Sequence, residues 1–164
     1  MTLTTELPTS TLTGPALAWA VGLAEGLDMY IKPSQYLNGP GVFANLGGRP
    51  VRWSPETDWS QAGPLIESNQ VFIDPPHDVH RSNMDPKTGM PKGVWQSYEN
   101  WHATVSARVR TLPPKLGWGP GEVGRGEGPD CLTAALRAIV RSHYGYTVWV
   151  PAELAPSEPE GGAA

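Results

Sequence analysis

The chain contains one cysteine, Cys131, in 164 residues. That excludes an internal disulfide framework and removes any need for an oxidising compartment. No apolar run approaches the length of a bilayer span. The opening MTLTTELPTSTLTG has neither a basic n-region nor an apolar h-region, so no signal peptide is expected and a cytoplasmic protein is the default. Clustered positive charge is also missing. Twelve Lys and Arg stand against 16 Asp and Glu, for a formal charge of -4. Duplex nucleic acid is bound through several cations that displace counterions, so this partner class is excluded. Phe is scarce, with two copies, and apolar residues make up only 39%. The chain can bury one modest core.

Gly (19) and Pro (18) are abundant, which demands turns and long loops. Trp is abundant too, with seven copies. Trp buries a large area but carries a polar handle, so some of these rings are expected to cap the core and one or two to stand at a site. The length suits one domain, expected over 12–154. A flexible, Thr-rich N-terminus is expected over 1–11 and a disordered tail over 155–164.

A helix is expected from about Thr13. Thr13 suits an N-cap, Pro15 suits the first turn, and Gly26 suits the stop. Leu17, Ala20, Val21 and Ala24 form its apolar stripe. Residues 27–50 read as a long loop with a short strand around Val42–Ala44, followed by another at Val51–Trp53. Pro64–Glu67 and Val71–Ile73 are short apolar runs of strand character. Residues 74–93 read as a second loop. Trp101, Ala103, Val105, Ala107 and Val109 alternate with polar residues, the clearest strand signal in the chain. Residues 111–128 read as a third loop. Leu132, Ala135, Leu136, Ile139 and Val140 share a helical face, with Asp130 at its start and Gly145 at its end. Thr147–Val150 reads as a closing strand. The order implies an α+β fold: a small, mainly antiparallel sheet of about four or five strands, two helices packed on one face, and long Gly/Pro-rich loops.

Three blocks carry a family resemblance: LTGPALAWAVGLAEG (Leu12–Gly26), SPETDWSQAGPLIE (Ser54–Glu67) and GPDCLTAALRAIVRSHYGYTVWVPAEL (Gly128–Leu154). Trp101-His102-Ala103 stands between the last two. Together they resemble the NinX-like family of small proteins from tailed phages and prophages. The sequence departs from that pattern at Ala18, where the family often has Asp, at Ala62, which replaces a Gly, and at Tyr146 and Trp149. The resemblance implies a phage origin and expression in the cytoplasm of a bacterial host. It supplies no catalytic residue.

Trp53–Glu67, read WSPETDWSQAGPLIE, holds the leading candidates. Large rings beside fixed polar groups suit a pocket wall. Trp53 and Trp59 would stack a flat, nucleotide-like ligand, with Trp101 in the same set. Asp58, Gln61 and Glu67 would hydrogen-bond it. The architectural alternative makes Asp58 a turn cap and Trp59 a core plug. A catalytic alternative pairs Asp58 with Glu67 as acid and base. The glycines from Gly117 to Gly128 surround Arg125, which would meet a phosphate; a flexible linker is the competing reading. Arg137 and Arg141 read as a solvated helix face. His77 and His80 with Asp74 and Asp78 have metal-ligand spacing, but a solvated loop is the simpler reading. No cofactor is implied. The expected partner is a small nucleotide-like ligand, with a homodimer completing the pocket and no membrane. Sequestration of a host defence signal is one use, by analogy with other phage-encoded binding proteins. A protein–protein adaptor for a replication or recombination factor is the alternative, with exposed Trp and Pro-rich loops as contact surface.

Overall fold

A computed structural model of the chain describes residues 3–33, 40–84, 87, 91–105 and 124–156. The expected strand end at Ala107–Val109, Gly117, Gly119 and Gly121, and most of the expected tail lie outside these residues. Among the described residues, ten strands form four antiparallel sheets and three helices pack around a core. The fold is α+β, with more strands, divided among more sheets, than the sequence suggested.

The chain opens with strand β1 (Thr4–Pro8), where a frayed leader was expected. β1 pairs with the last strand, β10 (Thr147–Pro151), from Thr4↔Pro151 to Pro8↔Thr147. Its partner lies at the other end of the chain, so no local pattern announces it. A single 3-10 turn at Thr9–Thr11 leads into α1 (Gly14–Ala24). α1 buries Ala16, Leu17, Ala18, Ala20, Val21 and Gly22, more than one stripe. Small residues on most sides let neighbouring elements approach closely.

Residues 27–50, expected to loop, hold most of a three-stranded meander: β2 (Met29–Lys32), β3 (Gly41–Leu46) and β4 (Arg49–Arg52). Gly47 and Gly48, at φ +59° and +79°, make the two-residue turn between β3 and β4. Positive φ at both positions matches the twist of the flanking strands and strongly favours glycine. Pro50 is tolerated because β4 is an edge strand. A third helix, α2 (Trp59–Ser68), takes in Pro64–Glu67, expected to have strand character.

β5 (Val71–Asp74), β8 (Trp101–Val105) and β9 (Arg125–Gly128) form the sheet that carries the site, in the order β5-β8-β9. The expected second loop is instead a hairpin of β6 (His77–Met84) and β7 (Pro91–Tyr98). α3 (Cys131–Tyr144) lies across β5, β8 and β9 and also touches α1, α2 and β10. It buries Leu132, Ala135, Leu136, Ile139 and Val140, as its periodicity predicts, and Thr133, Ala134, Ala138 and Ser142 besides. Each large apolar side chain removed from water contributes about 1.5–3 kcal/mol, so α3 is the hub of the core. Asp130 caps it, accepting from the Thr133 backbone N–H at 2.8 Å and the Thr133 hydroxyl at 2.7 Å. Among the described residues, no helix is long and apolar enough to cross a membrane.

Candidate functional site

The polar groups of Trp53–Glu67 are largely consumed by the fold. Trp53 is buried, and its indole Nε1 donates to the Ala18 carbonyl at 2.9 Å. That bond ties the end of β4 to α1, so the ring has no free face for a ligand. Asp58 is the N-cap of α2, accepting from the Ser60 N–H at 2.9 Å and the Ser60 hydroxyl at 2.7 Å. These bonds hold its carboxyl below the usual range. Gln61 closes the turn from both ends. Its Oε1 accepts from the Ser54 N–H at 2.8 Å, and its Nε2 donates to the Arg52 carbonyl at 2.9 Å.

Asp58 and Glu67 lie nine residues apart along one helix, about 13 Å of axial rise. Paired hydrolytic carboxylates stand about 5–10 Å apart. Trp59 is exposed rather than a core plug. Trp101 is half-buried against the core, on the helix-facing side of β8 with Ala103 and Val105. Glu56 is the anomaly of the segment. Burial pushes its carboxyl up to about 7, against lowering by a backbone hydrogen bond and by Arg52. Its Oε2 is buried with no hydrogen-bond partner among the described residues.

A different arrangement forms where β9 meets α3. Gly124, Gly126 and Gly128 alternate with Arg125 and Glu127, and the three glycines are buried. A Cβ at Gly126 would strike the Ala134 carbonyl, one at Gly124 the Ala138 carbonyl, and one at Gly128 the Thr133 side chain. The glycines therefore serve helix–strand contact: backbone lies directly on backbone. The Val105 N–H donates to the Gly124 carbonyl at 2.9 Å, which directs the glycine positions at the β8 ladder. Arg125 and Glu127 then present their own carbonyls at the free edge of β9.

Because α3 lies so close, two of its arginines reach that edge. Arg137 donates from Nη1 to the Glu127 carbonyl and from Nε to the Leu12 carbonyl at 2.9 Å. Arg141 approaches the Arg125 carbonyl at 3.5 Å. The result is a cleft of about 230 Å³ lined by Thr9, Ser10, His102, Arg125, Gly126, Glu127, Arg137 and Arg141. Three arginines and one glutamate line it, in a chain of net charge -4. The Glu127 carboxylate already accepts from Asn100 Nδ2 at 2.7 Å. Arg125 is exposed, and no protein group among the described residues holds its guanidinium. Partial burial pulls Arg137 below the ordinary guanidinium range, opposed by Asp130 and Glu127. It stays charged, since guanidinium is not deprotonated in proteins. A partly desolvated cation with unused N–H donors favours an incoming anion.

Of the sequence-derived candidates, only Arg125 lines this cleft. The sequence reading missed Thr9, Ser10, His102, Arg137 and Arg141. The i, i+4 spacing of Arg137 and Arg141 was visible, but the helix flank that it occupies depends on the glycine strand beneath. His77, from the metal-spaced set, stacks on Tyr98 at 5.5 Å, and Tyr98 meets His102 edge-on at 5.1 Å. Among the described residues, no group of three or more His, Cys, Asp or Glu is placed to hold a metal ion.

A family model described as "Bacteriophage P22, NinX" matches residues 8–108. This is more than half of the chain, and the chain belongs to that family. Comparison with curated proteins gives no match. The matched span contains Thr9, Ser10 and His102 of the cleft and stops before Arg125, Arg137 and Arg141.

Proposed function

We propose that this phage-family protein is a non-catalytic binder of a small phosphorylated, nucleotide-like ligand, and that the β9–α3 cleft takes the phosphate. The observation that carries this reading is the convergence of Arg125, Arg137 and Arg141 on one concavity. Guanidiniums bind phosphate through paired, charge-assisted hydrogen bonds. Arg137 and Arg141 are braced on backbone carbonyls, so less of their rotamer freedom remains to be lost on binding. Ser10, Thr9 and His102 line the cleft, but among the described residues no hydrogen bond joins His102 to either hydroxyl, which favours holding over turnover. In the cytoplasm of a bacterial host, such a protein would withhold its ligand from a host receptor. A second copy of the chain would complete the wall of the open cleft.

Native mass spectrometry of the protein purified from its bacterial host tests the reading. A co-purifying phosphorylated small molecule, with a thermal shift from a nucleotide panel, is the expected result. Absence of both would remove it. The exposed rings of Trp59, Phe72 and Trp149 favour a second reading, a protein–protein adaptor. A stoichiometric protein partner in a pull-down from infected cells supports that alternative.

A further inference from the structure

We infer that Tyr146 is a stacking platform for the ring of the ligand whose phosphate enters the cleft, which makes that ligand a phosphate ester carrying a flat, base-like group. The inference rests on the anion reading of the cleft given above. It begins with size. A cleft of about 230 Å³ is smaller than the roughly 300–1,000 Å³ of pockets that enclose a drug-sized ligand. It holds the phosphate end of a nucleotide and leaves the rest outside.

What lies just outside is Tyr146. Its side chain is 65% exposed, and its ring centroid stands 4.3 Å from the guanidinium carbon of Arg141. Arg141 therefore touches both places: it lines the cleft and it backs the ring. Of the large exposed rings among the described residues, Tyr146 is the one stacked on a cleft residue. The ring is also held at its base. Tyr146 follows Gly145, at φ +88°, in the turn between α3 and β10. Its carbonyl accepts from the Thr9 N–H at 2.8 Å and the Thr9 hydroxyl at 3.3 Å. With one face covered by a cation and the backbone pinned, the open face is a fixed apolar plane. A base laid on it would complete a guanidinium–tyrosine–base stack. The sugar and its phosphate linkage would pass the edge of the Tyr146 ring to reach the cleft at Arg141.

Titration calorimetry on the full chain tests this with two probes, adenosine 5′-monophosphate and ribose 5-phosphate. They share the phosphate and differ in the base. The wild type is expected to prefer the nucleotide about tenfold, the size of one base–aromatic stack. Tyr146→Ala should remove that preference while leaving ribose 5-phosphate affinity unchanged, and Tyr146→Phe should keep it. Arg125→Ala should weaken both probes alike. Equal binding of the two probes to the wild type would overturn the platform and leave the anion site standing. A Tyr146→Ala loss shared equally by both probes would also overturn it, because the ring would then act only by positioning Arg141. If neither probe binds, the anion reading falls and the platform falls with it.

Discussion

Trp53–Glu67 and Gly124–Arg141 hold similar raw material for recognition, yet the fold spends them in opposite ways. The first segment has two indoles, three carboxylates and an amide. Asp58 and Gln61 satisfy their polar atoms locally and lock the turn between β4 and α2, while the Trp53 indole is spent on the Ala18 carbonyl of α1. The second segment looked bland, a glycine-rich stretch followed by a helix with two arginines. Its glycines remove side-chain bulk from one face of β9, which brings α3 in and turns the arginines over the strand edge. The difference lies in unused hydrogen-bond capacity. A polar residue can serve a ligand only with donors or acceptors that the fold has left open.

The comparison breaks first through stability. Trp53→Ala removes a buried ring and leaves the Ala18 carbonyl without its donor. We expect a loss of about 3–5 kcal/mol by denaturant unfolding, and no change in phosphate affinity under conditions where the variant stays folded. Gly126→Ala forces a methyl onto the α3 backbone. It should cost about 3 kcal/mol and, unlike Trp53→Ala, should abolish phosphate binding in the folded fraction, because Arg137 and Arg141 move with the helix.

Glu56 gives a smaller effect with a definite sign. Its folded-state carboxyl titrates near 7 and an unfolded one near 4.5, so the folded state holds more protons between those values. Stability is full below about pH 4.5 and falls as pH rises through 7. Glu56→Gln should therefore match the wild type near pH 4.5 and exceed it by about 2 kcal/mol at pH 8, after allowance for partial exposure. A parallel pair of melting curves across that range would count against a buried carboxylate cost. Trp59→Ala should change stability least, by less than about 0.5 kcal/mol, because its ring is exposed.

How much of this was legible follows from which signals are local. α1, α3, β8 and β10 declared themselves through period and terminators: Pro15 and Gly26, Asp130 and Gly145, and the alternation from Trp101. The β2–β4 meander was missed because Gly47-Gly48 was read as loop composition, although two adjacent glycines between apolar runs also fit a two-residue hairpin. α2 was missed because Pro64–Glu67 was read as a short apolar run of strand character, whereas the Asp58 cap starts a ten-residue helix that contains Pro64. β9 was hidden because glycine lowers strand propensity, and its role here is close approach. β1 was hidden by distance, since its partner is β10. The cleft has the same difficulty in three dimensions. Thr9, His102, Arg125 and Arg141 come from four separated stretches of chain, and only the packing of α3 on β9 brings them together.

The most direct measurement sets one residue from each region against the other. Affinity for inorganic pyrophosphate is measured by calorimetry at low salt for the wild type, Arg125→Ala and Glu67→Gln. Both side chains are exposed, so neither change should shift the melting temperature. The expected result is a loss of about tenfold or more for Arg125→Ala, the weight of a charge-assisted hydrogen bond, weaker binding at higher salt, and no change for Glu67→Gln. Unchanged affinity in Arg125→Ala with altered affinity in Glu67→Gln would return the site to Trp53–Glu67 and contradict the account.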